Sequence, residues 1–320
     1  MFDNYFLCLP IGELREELLK ICNNKLQPAI PNFIPIMTTI TERNREGTFQ
    51  SADGLELYYQ SWHPQASARA VLVIVHGHGG HSGIFERIIA GVSDRNYVVY
   101  SFDLRGHGRS PGQRGYINSW TEYRADLTAF LNLVTTQQPD LPLFLLGQSM
   151  GGIIALDYVL NQPIQLQGLI LMSPALGLGI SPWKLLIGRI LSSVLPHFAL
   201  NTSRDFTSGS RDPEMIATYS GDRLRHRQGT ARLATELLQM IDWVNARAEE
   251  LQIPLLILHG GADRITPLQS SKKFFTGVTQ ADKKICEYPD SYHELQNDLN
   301  YQEVLADMID WIEQHLEVQS

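Results

Sequence analysis

Five consecutive residues have the types and spacing of a catalytic nucleophile. They read Gly147-Gln148-Ser149-Met150-Gly151, a G-x-S-x-G motif between an apolar run and a helical pattern. A serine on a sharp strand-to-helix turn keeps its hydroxyl clear of the backbone, and glycines on both sides avoid collisions of a Cβ with neighbouring elements. The helix N-terminus also favours developing negative charge. We predict Ser149 as the nucleophile, with Gly147 and Gly151 forming its elbow; an ordinary glycine-rich turn is the alternative.

A nucleophilic serine needs a base, and the base needs a carboxylate that fixes its tautomer. Where such a serine lies on a strand-to-helix turn, the chain order is serine, acid, histidine. His293, in YPDSYHEL, follows the last predicted strand, whereas His315 lies inside the terminal helix, so His293 is the predicted base. Asp263 directly follows a strand, at the edge where catalytic groups gather, and is the predicted acid. The competing carboxylates are Asp282, Asp290 and Asp298.

Two backbone N–H groups are expected to bind the oxyanion of a tetrahedral intermediate. One follows the nucleophile and belongs to Met150, and the other is best placed at His78 in HGHGGHSG. His76, His78 and His81 also suggest a metal site, but no acidic or cysteine ligand accompanies them. We therefore predict neither a metal nor a cofactor.

The surrounding pattern indicates elements that would position these residues. Asp53-Gly54 predicts the turn of a hairpin, and Ser119 with Glu122 predicts a capping box that opens a helix. Apolar runs that predict buried strands alternate with helical patterns, which is typical of a mostly parallel, doubly wound sheet. The runs are AVLVIVHG, YVVYSFD, LPLFLLG, LQGLILMS, IPLLILHG and KKICEYP.

One long interval interrupts this alternation. From Pro174 to about Gln252 the pattern predicts helices but no comparable strand, and a compact domain rarely contains so long a connection without a function. We interpret residues 174–228 as an inserted cap, and 37–173 with 229–320 as the core. Residues 1–36 form an N-terminal extension that is predicted to be partly helical.

Composition and charge restrict the kinds of binding partner and the cellular compartment that we expect. The net charge of −8 argues against a nucleic-acid partner. Three cysteines without paired spacing give no disulfide framework, and no run approaches a membrane span or a secretory signal. We expect a cytoplasmic protein, with peripheral contact between the cap and a membrane surface as an addition.

Several motifs together resemble the monoacylglycerol lipase and lysophospholipase group of the α/β-hydrolases, with a serine aminopeptidase S33-like domain. The motifs are, in chain order, HGHGGHSGIFERI, FDLRGHGRSPG, GQSMGG, SRDPEMIATY, LHGGADRITP and SYHEL. The resemblance covers about residues 45–317. It implies an α/β-hydrolase fold with an eight-stranded sheet, helices on both faces, an inserted helical cap, and release of a fatty acid from a monoacyl lipid. It assigns the same roles to Ser149, Asp263, His293, His78 and Met150, although Gln148 stands where the family often has histidine.

The predicted cap holds two clues to the substrate. The apolar segment 181–196 suggests either packing onto the core or a surface for an acyl chain or membrane. The run Arg223, Arg225, His226 and Arg227 suggests a solvated face, or contact with a phosphate headgroup. The expected substrate is a monoacyl lipid or small ester. The rival classes are a peptidase or thioesterase with the same triad, and a non-catalytic binding protein.

Overall fold

The computed structural model describes residues 44–162, 165–178, 182–201 and 206–317. The predicted extension, residues 1–36, lies outside the described residues, as do residues 179–181 and 202–205 of the predicted cap.

Eight strands of the described residues form one sheet in the order β1-β2-β4-β3-β5-β6-β9-β10. Their bounds are β1 Asn44–Gln50, β2 Glu56–Trp62, β3 Ala70–Val75, β4 Tyr97–Phe102, β5 Leu143–Gln148, β6 Gly168–Met172, β9 Leu255–Gly260 and β10 Lys283–Tyr288. Neighbours from β4 to β10 are parallel, whereas β2 is antiparallel to both β1 and β4. The predicted mostly parallel eight-stranded sheet is confirmed.

The first two strands form the predicted hairpin. Phe49 pairs with Leu57 across the strands, and Gly54 has a φ of 81°, which glycine adopts at no steric cost. The Asp53-Gly54 turn is therefore confirmed.

Helices connect the strands and cover the sheet. Their bounds are α1 Glu86–Ser93, α2 Thr121–Gln137, α3 Met150–Asn161, α4 Pro182–Val194, α5 Pro213–Gly221, α6 Ala231–Asn245, α7 Leu268–Gly277 and α8 Tyr301–Glu317. Leu143 and Leu145 of β5 belong to a hydrophobic cluster shared with α2, α3 and α6. Phe144, between them, contacts Trp311 of α8 with ring centroids 6.0 Å apart. Because successive strand residues point to opposite faces, helices cover both sides of the sheet.

The predicted capping box at the start of α2 is wrong. Ser119 Oγ bonds the hydroxyl of Thr121 at 2.6 Å instead of capping the helix. The Glu122 carboxylate reaches back to the N–H and side chain of Asn118. It also pairs with Arg105 at 3.3 Å. Arg105 lies in another loop, so the local sequence pattern does not predict this contact.

The interval between β6 and β9 contains α4, α5, α6 and two short strands, β7 Ala199–Asn201 and β8 Gln228–Thr230. These strands pair antiparallel as a separate two-stranded sheet. Among its described residues the interval therefore contains no strand comparable to those of the main sheet, as predicted, and strands of three residues are too short to give an alternating pattern. The predicted boundaries of the cap stay a prediction. In the described part of the chain, no helix is long and apolar enough to cross a membrane.

Candidate active site

Ser149 lies on a strained turn between β5 and α3. Its φ of 55° and ψ of −119° are a conformation that non-glycine residues rarely adopt and that costs roughly 1–3 kcal/mol. Hydrogen bonds hold the backbone there: its N–H donates to Met172 O at 3.0 Å, and its carbonyl accepts from the N–H of Ala175 at 3.1 Å. The two bonds tie the turn to the end of β6, so the neighbouring strand supports the strain.

The two elbow glycines lie where side chains do not fit. A Cβ on Gly147 would be 2.5 Å from Gly151 O, and a Cβ on Gly151 would be 2.1 Å from Val75 O. Both obstacles are backbone atoms, which cannot rotate away as a side chain could. The close crossing of β3, β5 and α3 therefore requires glycine at both positions.

His293 and Asp263 are brought together from the loops that follow β10 and β9. His293 Nδ1 lies 2.7 Å from Asp263 Oδ2, and the Asp263 side chain is fully buried. An ionised carboxylate only accepts hydrogen bonds, so Nδ1 carries a proton, and in the neutral imidazole the lone pair is then on Nε2. An imidazole in this tautomer is able to accept a proton from a hydroxyl.

Asp263 is surrounded by hydrogen-bond donors. Its Oδ1 accepts from the N–H groups of Ile265 at 2.7 Å and Thr266 at 3.0 Å, and its Oδ2 accepts from Thr266 Oγ1 at 2.7 Å. Burial by itself would raise the pKa of Asp263. The charge of His293 and hydrogen bonds from His259, His293 and the Thr266 backbone outweigh burial and hold this pKa well below its usual value. The carboxylate is therefore ionised throughout the neutral range.

The competing carboxylates lie elsewhere. Asp282 bonds His315 at 3.0 Å, and Asp298 pairs with Arg211 at 3.0 Å. Asp290 is exposed. Among these carboxylates, the structure places Asp263 next to His293.

Sequence reasoning missed Thr266 and His259, which hold the acid in place. Besides its bond to Asp263, Thr266 Oγ1 lies 3.1 Å from His293 Nδ1. His259 Nε2 bonds Thr266 O at 2.9 Å and lies 3.4 Å from Asp263 Oδ2. The three-residue spacing between Asp263 and Thr266 was a usable signal for a local carboxylate-capped turn. His259 lies inside a strand, where no local pattern marks it.

The loop after β3, residues 76–81, is here named the oxyanion loop. Its His78 lines the same cavity as Ser149 and His293. Met150 begins α3 directly after Ser149, and its side chain is buried. The N–H groups of these two residues are the candidate oxyanion donors.

The three histidines of the oxyanion loop do not converge on one point. His76 bonds backbone groups of Gly77 and Leu104, whereas His81 Nε2 bonds Asp222 Oδ2 at 2.7 Å. Among the residues that the structure describes, no cluster of His, Cys, Asp and Glu side chains has the arrangement of a metal site.

The cavity at Ser149 is small, and its walls are mixed polar and apolar. Its volume is about 60 Å³, and its lining includes His226, Arg225 and Glu294. A larger cavity of about 370 Å³ lies nearby, lined by Leu176, Leu178, Leu238 and Ile241 together with polar residues. Leu176 directly follows Ala175, whose N–H bonds Ser149 O, so the wall of the larger cavity is tied to the nucleophile turn.

Three ion pairs and one hydrogen bond join residues 211–225 to the core. The ion pairs are Arg211–Asp298, Asp212–Arg87 and Arg225–Glu294, and the hydrogen bond is between His81 and Asp222. Glu294 directly follows His293, so the Arg225–Glu294 pair links this segment to the loop that carries the predicted base.

The Arg223–Arg227 run is only partly the solvated face that its charge suggested. Arg223 and Arg227 are exposed, but Arg225 is buried in its pair with Glu294 and lies 3.9 Å over the ring of Tyr219. The ring of His226 packs against that of His78 with centroids 5.3 Å apart. Burial lowers the pKa of His226 to about 4, so this imidazole is neutral at neutral pH.

Comparisons with known proteins show the family of the chain. Residues 66–300 match the family described as serine aminopeptidase, S33. The sequence is 31% identical to a monoacylglycerol lipase of Mycolicibacterium smegmatis, over 87% of this chain and all of that protein. It is 32% identical to the phospholipase YtpA of Bacillus subtilis, over 73% of this chain and 92% of that protein.

A solved structure shows the same fold. The crystal structure of the monoacylglycerol lipase of Paleococcus ferrophilus aligns with a TM-score of 0.75 at 29% identity, over 82% of this chain and all of that one. The chain therefore belongs to the serine aminopeptidase S33 family. Within the α/β-hydrolase superfamily it lies in the monoacylglycerol lipase and lysophospholipase group and is a carboxylic ester hydrolase.

Proposed function

We propose that this member of the S33 family cleaves monoacyl lipid esters through an acyl-enzyme on Ser149 and releases a fatty acid. The observation that carries the proposal is the strained turn of Ser149, which opens into the cavity that His293 also lines. Asp263 holds His293 in the tautomer that a general base needs. Relatives named monoacylglycerol lipase and phospholipase support a lipid substrate.

The proposed reaction uses these groups in two half-reactions. His293 Nε2 takes the proton of the Ser149 hydroxyl while Oγ attacks the ester carbonyl. The N–H groups of His78 and Met150 then stabilise the oxyanion, and removing one such donor typically costs about 3–4 kcal/mol. His293 returns the proton to the leaving alcohol, and a water activated by the same imidazole hydrolyses the acyl-enzyme.

The two cavities support different halves of the substrate. The cavity at Ser149 is small, about 60 Å³, and is lined by the polar side chains of Arg225 and Glu294, so we assign it to the alcohol side of the ester. Of the two arginines that line this cavity, Arg225 is already paired with the Glu294 carboxylate and is therefore less available to a phosphate. We therefore propose glycerol as the leaving group ahead of a phosphate-bearing one. The larger, partly apolar cavity is proposed for the acyl chain.

A fluorophosphonate probe tests the nucleophile, because it labels only an activated serine. We expect labelling of the folded protein at Ser149, and neither labelling nor ester hydrolysis by Ser149→Ala. Ser101→Ala is the matched control, because Ser101 is fully buried in β4 and does not line the cavity. Full activity of Ser149→Ala would refute the proposal, and failure to label the wild type would favour a binding protein.

A substrate panel tests the chemical class. Monoacylglycerol, lysophospholipid, an acyl-CoA and an aminoacyl arylamide should be assayed beside each other at equal concentration. We expect the highest kcat/KM for monoacylglycerol. The chain belongs to a family described as serine aminopeptidase, S33, so cleavage of the arylamide is the main alternative activity. Preferred cleavage of the arylamide or the acyl-CoA would replace the lipid proposal by a peptidase or thioesterase.

We also propose that the cap, residues 174–228, contacts a membrane surface transiently. Of the seven large hydrophobic side chains that are exposed in the described residues, six lie between Ile187 and Leu200. They include Ile190 and Val194 on α4, which are 56% and 69% exposed. Of the two alternatives for segment 181–196, packing onto the core does not apply to its exposed side chains, and exposed apolar patches of this kind mark interaction sites.

Co-sedimentation with phosphatidylcholine vesicles tests this contact. We expect the double variant Ile190→Ser, Val194→Ser to lose vesicle binding and to keep hydrolysis of a short water-soluble ester. Leu299→Ser is the control, because Leu299 is the remaining exposed large hydrophobic of the described residues and lies outside the cap. Unchanged binding of the double variant would refute the contact.

A further inference from the structure

The side chain of Gln148 joins the nucleophile turn to the oxyanion loop. Gln148 ends β5, is only 4% exposed, and its Oε1 accepts from the N–H of Gly77 at 3.0 Å. A Cβ on Gly77 would lie 2.6 Å from this oxygen and 2.8 Å from Ser149 Cβ, so the two segments are as close as glycine permits. Without the amide oxygen, the buried N–H of Gly77 would have no acceptor in this arrangement.

The carbonyl of Gly77 is held from another side. The N–H of Leu104 donates to His76 Nε2 at 3.0 Å, which makes Nε2 the bare nitrogen and places the proton on Nδ1. His76 Nδ1 then donates to Gly77 O at 2.8 Å, and the N–H of Gly80 donates to the same oxygen at 3.2 Å. Burial lowers the pKa of His76 to about 4, so this neutral tautomer persists at neutral pH.

These bonds fix the direction of the His78 N–H. In a trans peptide the carbonyl of Gly77 and the N–H of His78 point in opposite directions. Because the carbonyl is held towards the His76 ring, the N–H of His78 is turned away from that ring. Gln148 holds the preceding peptide plane, between His76 and Gly77, through the N–H of Gly77. This plane and the plane between Gly77 and His78 meet at the Cα of Gly77.

We infer that Gln148 is a positioning residue that sets where the His78 N–H lies relative to Ser149. The inference rests on the proposed function, since it concerns the oxyanion of the same ester reaction. Met150 follows the nucleophile along the chain, so its N–H is placed by the turn itself. The N–H of His78 belongs to another strand end, and Gln148 is the side chain that ties the two ends together. Its amide does not titrate, so the tie is independent of pH.

Gln148→Met tests the inference, because methionine has a similar length but lacks the acceptor oxygen. A misplacement of about 1 Å in a catalytic arrangement costs about 100-fold in rate. We expect kcat to fall about 100-fold with KM changed by less than about twofold. The affinity for a trifluoromethyl ketone, whose adduct with Ser149 carries the oxyanion, should fall in parallel. Gln148→His, which keeps an acceptor nitrogen, should have a kcat at least about tenfold higher than that of Gln148→Met.

The matched control is Gln60→Met. Gln60 is buried in β2, and its Oε1 accepts from Asn44 at 3.1 Å, far along the chain from the cavity lining. We expect this variant to lose some thermal stability and to keep wild-type kcat and ketone affinity. If Gln148→Met does not fold, Gln148→Asn repeats the test, because it keeps a polar amide whose oxygen falls one methylene short of Gly77.

Two results would overturn the inference. One is wild-type kcat in the folded Gln148 variants. The other is a fall in kcat with undiminished ketone affinity, which would place the effect outside the oxyanion. Either result leaves the proposed function intact as long as Ser149→Ala is inactive, whereas an active Ser149→Ala would remove the proposed function itself.

Discussion

The ion pair between Arg225 and Glu294 permits a quantitative test of how residues 211–225 are held against the core. The two side chains are only 7% and 11% exposed, and the two terminal nitrogens of the guanidinium, Nη1 and Nη2, both face the carboxylate. Burial would raise the pKa of Glu294, but the charge and hydrogen bond of Arg225 lower it below its usual value. Breaking such a pair from one side leaves a buried charge and costs about 3–5 kcal/mol.

Arg225→Met should therefore lower the free energy of unfolding by about 3–5 kcal/mol at pH 7. Adding Glu294→Gln removes the stranded charge, so the double variant should be more stable than Arg225→Met alone. The coupling energy from the double-mutant cycle is expected to be about 2–4 kcal/mol. Urea unfolding, followed by tryptophan fluorescence and circular dichroism in parallel, gives all four free energies. Arg223→Met is the control, because Arg223 is exposed two residues away.

The pH dependence of the free energy of unfolding provides a second check, on the sign of the contribution that Glu294 makes to stability. In the wild type the pKa of Glu294 is lowered in the folded state, so the stability that it contributes is present at neutral pH and lost as the pH falls through that pKa. In Arg225→Met burial raises the same pKa, so the penalty should shrink as the pH falls towards 5. A penalty below about 1 kcal/mol at pH 7, or a double variant as unstable as the sum of the singles, would refute the reasoning.

Three further outcomes are expected. Asp263→Asn should lower kcat about 10⁴-fold, measured with a p-nitrophenyl ester, in a protein that still folds but has a lower thermal midpoint, because the buried donors around Asp263 lose their carboxylate; a loss in kcat below about tenfold would remove it as the acid. His76 and His226 have pKa values of about 4 in the folded state against a usual 6.5, so urea titrations should show stability falling as the pH drops between those values. The slope is at most about 1.4 kcal/mol per pH unit for each imidazole, and His226→Gln should reduce it. Gly151→Ala should prevent folding, because its Cβ would lie against backbone atoms; little soluble protein with a cooperative unfolding transition should be obtained. Gly188→Ala on α4, with open space at that Cβ, should be stabilising by about 0.5–1 kcal/mol.

Much of the fold and of the candidate site could be predicted from local pattern. The strands buried on both faces appear as continuous apolar runs, and the helix stripe of Tyr123, Leu127 and Phe130 is fully buried as its spacing predicts. The G-x-S-x-G turn needs only its flanking strand and helix to be recognised. Chain order with respect to those strands then identified Asp263 and His293, because the carboxyl ends of parallel strands share one edge.

The sequence by itself determined which residue types stand at the strand ends, since periodicity and turn chemistry are properties of neighbouring residues. Only the tertiary structure decided what those residues contact. Thr266 against His293, Arg225 against Glu294 and Gln148 against Gly77 are pairs from separate elements, and no periodicity records them. A buried polar group must find a partner, but which partner depends on how the strand ends meet in space. For Ser149 the sequence therefore identified the turn, and packing decided how the oxyanion loop lies beside it.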